Sequence, residues 1–198
     1  MEMHPELHFY QLGEGVTAFS STRHGGYSEG RYGEFNINHY CGDSEDSIRQ
    51  NRDLLCQVLG IDGDRLIMPH QVHQTEIVDV DEAFLRLPAD EQKARLEGVD
   101  ALMTAVPGVC IGVSTADCIP VLLYDCRHKA VCAVHAGWRG TVKRIVEKAV
   151  ATMTAVYGTN PEDVFAQIGP GIHLDSFEVG DEVYEAFAQE EFPIEAIS

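Results

Sequence analysis

Between Val99 and His135 the chain strings together four short apolar runs with almost no polar alternation: 99-VDALMTA-105, 109-VCIGVS-114, 119-IPVLLYD-125 and 130-AVCAVH-135. A strand with one face in water alternates apolar and polar side chains, so these runs predict strands covered on both faces. Layers must therefore lie above and below them, and the rest of the chain has to supply those layers. The most regular helical pattern follows at once, in 141-TVKRIVEKAVATMTAVY-157. Val142, Ile145, Val146, Ala149, Val150, Met153 and Tyr157 form one stripe there, and Gly158 stops it. A second helix is predicted from a cap at Asp43 or Ser44, with Ile48, Leu55 and Leu59 on one face and Gly60 at its end.

The remaining segments read more weakly. Residues 15-GVTAFSS-21 and 164-VFAQIG-169 suit strands, and 65-RLIMPHQVHQTEIVDV-80 suits two short strand-like pieces around a turn. The second half of 84-FLRLPADEQKARLEG-98 suits an exposed helix, and a last helix starts at Asp181. Strands and helices alternate irregularly and hairpins are present. That favours mixed sheets with helices packed outside over a doubly wound fold. No GxGxxG follows a strand and no GxxxxGK[ST] is present, so nucleotide-binding loops of those kinds are excluded. With no repeat, linker or low-complexity tract, residues 1–198 read as a single domain.

Charge narrows the partners. Fourteen Lys+Arg stand against 32 Asp+Glu, a formal net charge of −18. Such a field repels phosphate backbones and anionic bilayers, which argues against nucleic acid and membrane surfaces as partners. An anionic small ligand would need a local basic pocket. No run reaches the roughly 18 apolar residues of a membrane span, and MEMHPELHFYQ lacks the pattern of a secretory signal. The six cysteines form no CxxC pair and read as reduced thiols, so the expected location is the cytoplasm. Oligomeric state is not legible.

The polar stretch 125-DCRHK-129 between two apolar runs is a turn signal, so the third and fourth runs form a hairpin. If Tyr124 pairs with Ala130, His135 faces Ile119; if Tyr124 pairs with Lys129, His135 faces Cys118. Both registers place Cys118 and His135 directly opposed or diagonal, about 5–8 Å apart at Cβ. That separation suits a shared zinc ion or a Cys–His pair for nucleophilic catalysis. Core packing is the competing reading, since buried cysteine is common. Against it, Asp117 precedes Cys118 and Pro120 interrupts the ladder just after it, which makes an irregular strand entrance. A metal would need a third ligand. The turn 69-PHQVHQT-75 offers His70 and His73, between which spacing does not choose; the other histidines lie in terminal, loop or turn contexts. After His135, Gly137 and Gly140 allow a sharp turn and close approach to a ligand. Thr141 would open a helix whose N-terminus, with Arg139 beside it, favours an anion. Trp138 suits either base stacking or packing.

These residues, in this order, resemble the YfiH/YlmD family, also called laccase-domain or polyphenol-oxidase-like proteins. The matching pieces are 20-SSTRHGG-26, 36-NIN-38, 41-CGD-43, 51-NR-52, 71-QVH-73, 115-TADCIPVLL-123, 133-AVHAGWRG-140 and 177-FEVG-180. The resemblance implies one zinc held by His73, Cys118 and His135. It also implies an α+β fold of mixed β-sheets sandwiched between helices in αββα-like layers. The implied activities are purine nucleoside phosphorolysis, on adenosine, inosine, guanosine and methylthioadenosine, and adenosine deamination. Editing of peptidoglycan precursors is associated with some members. Gln74 stands where the family commonly has Gly. The family usually continues further, with a Cys-Thr and a Ser-Tyr-Arg-Arg element near its end, so residues 1–198 are expected to lack its C-terminal portion.

Three protein ligands leave a position on a zinc ion open, the pattern of a catalytic site. Asn36 and Arg52, on family-matching positions, and Arg139, by the helix argument, are the candidates for contacts to nucleoside or phosphate. Asp117 is the candidate for orienting a ligand or moving a proton. The main rival is a Cys–His amidase with Cys118 as nucleophile and His135 as base. A multicopper oxidase needs paired imidazoles, and without any His-x-His this chain would match a single copper at best. A non-enzymatic zinc module would instead show a closed four-ligand site.

Overall fold

The structure, a computed structural model, describes residues 3–194. In chain order its elements are β1 (Leu7–Tyr10), β2 (Ala18–Ser21), α1 (Glu45–Leu59), β3 (Leu66–Ile67), β4 (Ile77–Asp79), α2 (Glu82–Leu85), α3 (Ala89–Arg95), β5 (Ala101–Thr104), β6 (Cys110–Ile111), β7 (Ile119–Asp125), β8 (Ala130–Ala136), α4 (Trp138–Val142), α5 (Ile145–Tyr157), β9 (Val164–Ile168) and α6 (Asp181–Gln189). Five strands form the main sheet in the order β4-β5-β8-β7-β9, with β4 and β5 parallel and the other neighbours antiparallel. Two small pairs, β1-β2 antiparallel and β3-β6 parallel, stand apart from it.

Side-chain alternation explains the layering. Along β7, Val121 and Leu123 point to one face, where Ile145, Ala149 and Met153 of α5 lie fully buried against them. Leu122 and Tyr124 point to the other face and meet Leu12 and Ala18 beside the β1-β2 pair. Leu102 of β5 likewise meets Ile67 of β3 and Phe84 of α2. Beyond the small pairs, Leu55 and Cys56 of α1 close on Phe35 and Leu66. The order is therefore helix, main sheet, strand pairs, helix, the mixed-sheet sandwich expected. Fully burying each Leu, Ile or Met contributes roughly 1.5–3 kcal/mol, which is why runs without alternation mark the centre of the molecule.

α1 begins and ends as read. The Ser44 hydroxyl accepts from the amide of Ser47, and Gly60 takes the left-handed conformation (φ 67°) that closes the helix. Its Asn51, fully buried, donates to the carbonyl of Asn36 at 2.9 Å and accepts from the amide of Tyr27 at 2.8 Å, pinning the loop 22–43.

Four expectations are corrected. The first strand is shorter, Ala18–Ser21, and pairs with β1, which has no apolar run to betray it; 109–114 shrinks to Cys110–Ile111. The helix after His135 opens at Trp138, not Thr141, and breaks at Arg144 in the left-handed region (φ 58°, ψ 46°). The break redirects the chain from the end of β8 onto the sheet face that α5 covers. In the β7–β8 hairpin Tyr124 pairs with Val131 and Pro120 with His135, so neither predicted register holds. The Asp125 carboxylate accepts the amides of Arg127 at 2.9 Å and His128 at 3.1 Å, and Lys129 sits at φ 56°. These bonds confine the turn to 126–129 and keep Asp125 in the ladder opposite Ala130. Cys118 consequently falls one residue before β7, diagonal to His135.

Candidate metal centre

His135 is the penultimate residue of β8 and is buried, Cys118 enters β7 half-buried, and His73 lies exposed in the turn between β3 and β4. Their ligand atoms, two imidazole nitrogens and a thiol sulfur, all lie within 4.8 Å of one another. Among the described residues this is the one group of three or more His, Cys, Asp or Glu side chains so placed. The two imidazoles meet edge to face, with centroids 4.8 Å apart. Of the two histidines that spacing left open, His73 joins the group. His70 turns away, stacking on Tyr40 with centroids 4.0 Å apart and bonding Glu97 Oε1 through Nδ1 at 2.6 Å.

Asp100, immediately before β5 and fully buried, stands behind the group. Its Oδ1 lies 2.8 Å from His135 Nδ1 and accepts the amide of His73 at 3.0 Å; its Oδ2 accepts the amides of Val72 at 3.2 Å and Gln74 at 2.7 Å. Burial alone would raise the pKa of this carboxyl, but the hydrogen bonds from His135 and the three amides hold it below the ordinary range. An ionised Asp100 makes His135 Nδ1 the donor, which leaves the Nε2 lone pair for a cation. The sequence reading missed this residue. The signal was there: an aspartate opening the apolar run 99-VDALMTA-105, where an unpaired charge would be prohibitive.

Electrostatics suit a cation. Partial desolvation of its ring, then the nearby His135, lowers the pKa of His73, favouring the neutral imidazole that a metal requires. Burial and the carboxylates of Asp117 and Asp100 push the Cys118 thiol up. A bound cation would reverse that shift. Two nitrogens and one sulfur match the donor preferences of zinc, and also those of copper, so the residues present fit a metal of this class.

Glycine at position 137 serves space rather than turning. Its φ is −71°, open to any residue, but a Cβ there would meet Cys118 Sγ and His73 Cδ2, each at 3.1 Å. At Gly140 a Cβ would meet the carbonyl oxygen of Gln74 at 3.2 Å.

The group opens on a cleft of about 1630 Å³ between the main sheet and the strand pairs, with Asn36, His70 and Asp117 also on its walls. Asp117 is exposed. The Asn36 amide is engaged within the loop, donating to Asp43 Oδ2 at 2.9 Å and Cys41 Sγ at 3.1 Å. Arg52 is not among the residues lining the cleft; it donates to the carbonyls of Leu66 at 2.7 Å and Ile37 at 3.4 Å. Arg139 is exposed, with its guanidinium carbon 4.2 Å from the centroid of the Trp138 ring, and its charge helps keep the pKa of His73 low.

Comparison with known proteins places this architecture. Residues 17–197 match the family described as multi-copper polyphenol oxidoreductase laccase. A purine nucleoside phosphorylase of Bacteroides thetaiotaomicron is 46% identical over 183 residues, which is 92% of this chain and 68% of that protein. Adenosine deaminase RL5, from an unknown prokaryotic organism, is 45% identical over 194 residues, 97% of this chain and 73% of that protein. The crystal structure of the hypothetical protein YfiH from Bacillus licheniformis superposes with a TM-score of 0.84 at 29% identity, covering 93% of this chain and 73% of that one. With the matched family spanning nearly all of its length and the same fold in its relatives, the chain belongs to the laccase-domain family that includes YfiH and YlmD.

Proposed function

We propose that this chain acts on purine nucleosides, by phosphorolysis of the glycosidic bond and by deamination of adenosine, at a zinc ion held by His73, Cys118 and His135. The observation that carries the reading is the convergence of these three donors on the wall of a cleft roomy enough for a nucleoside. The names of the relatives, purine nucleoside phosphorylase and adenosine deaminase, point to the same substrate class. When bound, the ion supplies Lewis acidity at the reacting purine. The chain's own groups do the rest. Asp100 fixes the His135 imidazole, Asp117 at the rim is placed to move a proton, and Asn36 contacts the nucleoside from the loop. Arg139 adds positive charge beside His73, toward phosphate. Arg52 acts through the loop carbonyl it holds.

The test is to incubate the zinc-replete protein with adenosine or inosine, with and without phosphate. Ribose 1-phosphate and free base should appear only with phosphate, and inosine should form from adenosine without it. Failure to form either product with a zinc-replete sample would sink the reading. Cys118→Ser should cost more than the roughly 10–100-fold typical of residues that only support a ligand.

One observation favours the amidase as a second reading: Asp100 orients His135 as a catalytic triad's acid orients its base. The upward push on the Cys118 thiol opposes it, since a nucleophilic cysteine needs the reverse. Thiol labelling before and after chelation separates the two. A Cys118 that reacts readily in metal-free, active protein selects the amidase.

A further inference from the structure

Two of the three candidate ligands come from segments far apart in sequence, the turn at His73 and the end of β8 at His135, and one buried carboxylate touches both. We propose that Asp100 is a positioning residue that preforms the metal site, locking His73 and His135 in place before any ion arrives. The inference rests on the zinc reading above and deepens it.

A carboxylate offers about four lone-pair sites, and at Asp100 four donors occupy them. One is the His135 imidazole and three are the successive amides of Val72, His73 and Gln74. Successive amides converge on one acceptor when the chain passes through the left-handed region, and His73 sits there at φ 62°. A residue with a Cβ avoids that conformation unless something holds it, and here the carboxylate does. The hold on His135 is double, because its amide also donates to the Asp100 carbonyl at 2.8 Å. Asp100 is tied in turn, its own amide donating to the Glu76 carbonyl at 3.0 Å, just past the His73 turn. Removing the carboxylate therefore frees the His73 backbone and the His135 ring together, although neither bond involves a metal-ligating atom.

Asp100→Asn keeps the shape but aims an amide NH2 at groups that are themselves donors. Its zinc affinity, measured by chelator competition, should fall about 10–100-fold, the range seen when partners of ligating histidines are changed. With cobalt substituted for zinc, the visible absorption bands should shift or weaken. Tyr157→Phe is the control for general destabilisation. It breaks the hydrogen bond from Tyr157 to Asp79 at the far end of β4, and should leave affinity and spectrum at wild-type values. Asp100→Asn with wild-type affinity and an unchanged cobalt spectrum would overturn the proposal while leaving the zinc reading intact. A wild-type chain that binds neither zinc nor cobalt would overturn both.

Should Asp100→Asn fail to fold, hydrogen exchange on the unaltered, chelator-treated protein decides. Amides 72–74 protected without metal support a preformed site. Amides that exchange freely until zinc is added show that the ion, not Asp100, organises the turn.

Discussion

Gly137 shows how little room the site leaves at the residue scale. Its backbone suits any amino acid, yet a methyl at this position would press on Cys118 Sγ and His73 Cδ2 at 3.1 Å and stand 3.7 Å from His135 Cε1. All three candidate ligands would be touched by one added carbon. They sit on different segments, so no single rotamer change relieves the crowding. Gly137→Ala should fold with a loss of about 1–3 kcal/mol, the usual cost of an extra methyl in a packed place. Its larger effect should fall on metal binding, where we expect at least a tenfold weaker zinc affinity in a chelator competition. Wild-type affinity in a folded Gly137→Ala protein would mean that His73 and Cys118 yield freely, and that the geometry of the group is softer than its packing implies.

At the scale of elements, the parts legible in the sequence are those fixed by burial. Three of the four apolar runs read correctly as doubly covered strands because Leu123, Cys132 and Val134 face α5 while Tyr124 and Leu102 face the opposite layer. The cap at Ser44 and the stop at Gly60 were readable because single residue types perform those tasks. The hairpin register was not, since it turns on the Asp125 carboxylate and a left-handed Lys129, neither of which leaves a hydrophobic trace. The break at Arg144 escaped for a similar reason: the stripe from Val142 to Tyr157 is continuous in sequence, although the axis changes. In the candidate site, Cys118 and His135 stood out from their places on the hairpin, His73 needed the family resemblance, and Asp100 was hidden inside an apolar run. Because α5 packs on the sheet face while the ligand group lies at the strand ends, stability and metal binding should separate. Met153, fully buried on the sheet-facing side of α5, fills core volume and nothing else. Met153→Ala should cost about 2–5 kcal/mol in urea unfolding yet leave zinc affinity within twofold of wild type under native conditions. A parallel loss of affinity would show that the helix sets the site after all.

For the whole molecule, charge and buried carboxylates pull stability in opposite directions as pH falls. At net −18 the chain repels itself near neutrality, and protonating surface carboxylates toward the sequence pI of about 4.7 relieves that strain. Asp79 adds to the relief, because burial raises its pKa above the ordinary range and the folded protein takes up its proton readily. Asp125 acts the other way. Burial alone would raise its pKa, but the donors around it more than reverse this. They are the amides of Arg127 and His128 and the His128 ring, with the Thr159 hydroxyl acting alongside, itself outside hydrogen-bond geometry. Its folded pKa is therefore depressed. The stability it confers is complete above the unfolded aspartate value of about 3.9 and is lost as pH drops through the folded value. Urea unfolding from pH 7 downward should show stability rising toward about pH 5 and falling below about pH 4, with added salt flattening the first limb and sparing the second. Asp125→Asn keeps an acceptor for the turn amides but cannot ionise. It should lie about 1–3 kcal/mol below wild type at pH 6, and the gap between the two curves should narrow steadily from about pH 4 toward pH 2. Curves that stay parallel across that range would remove Asp125 from the acid response and assign it to other carboxylates.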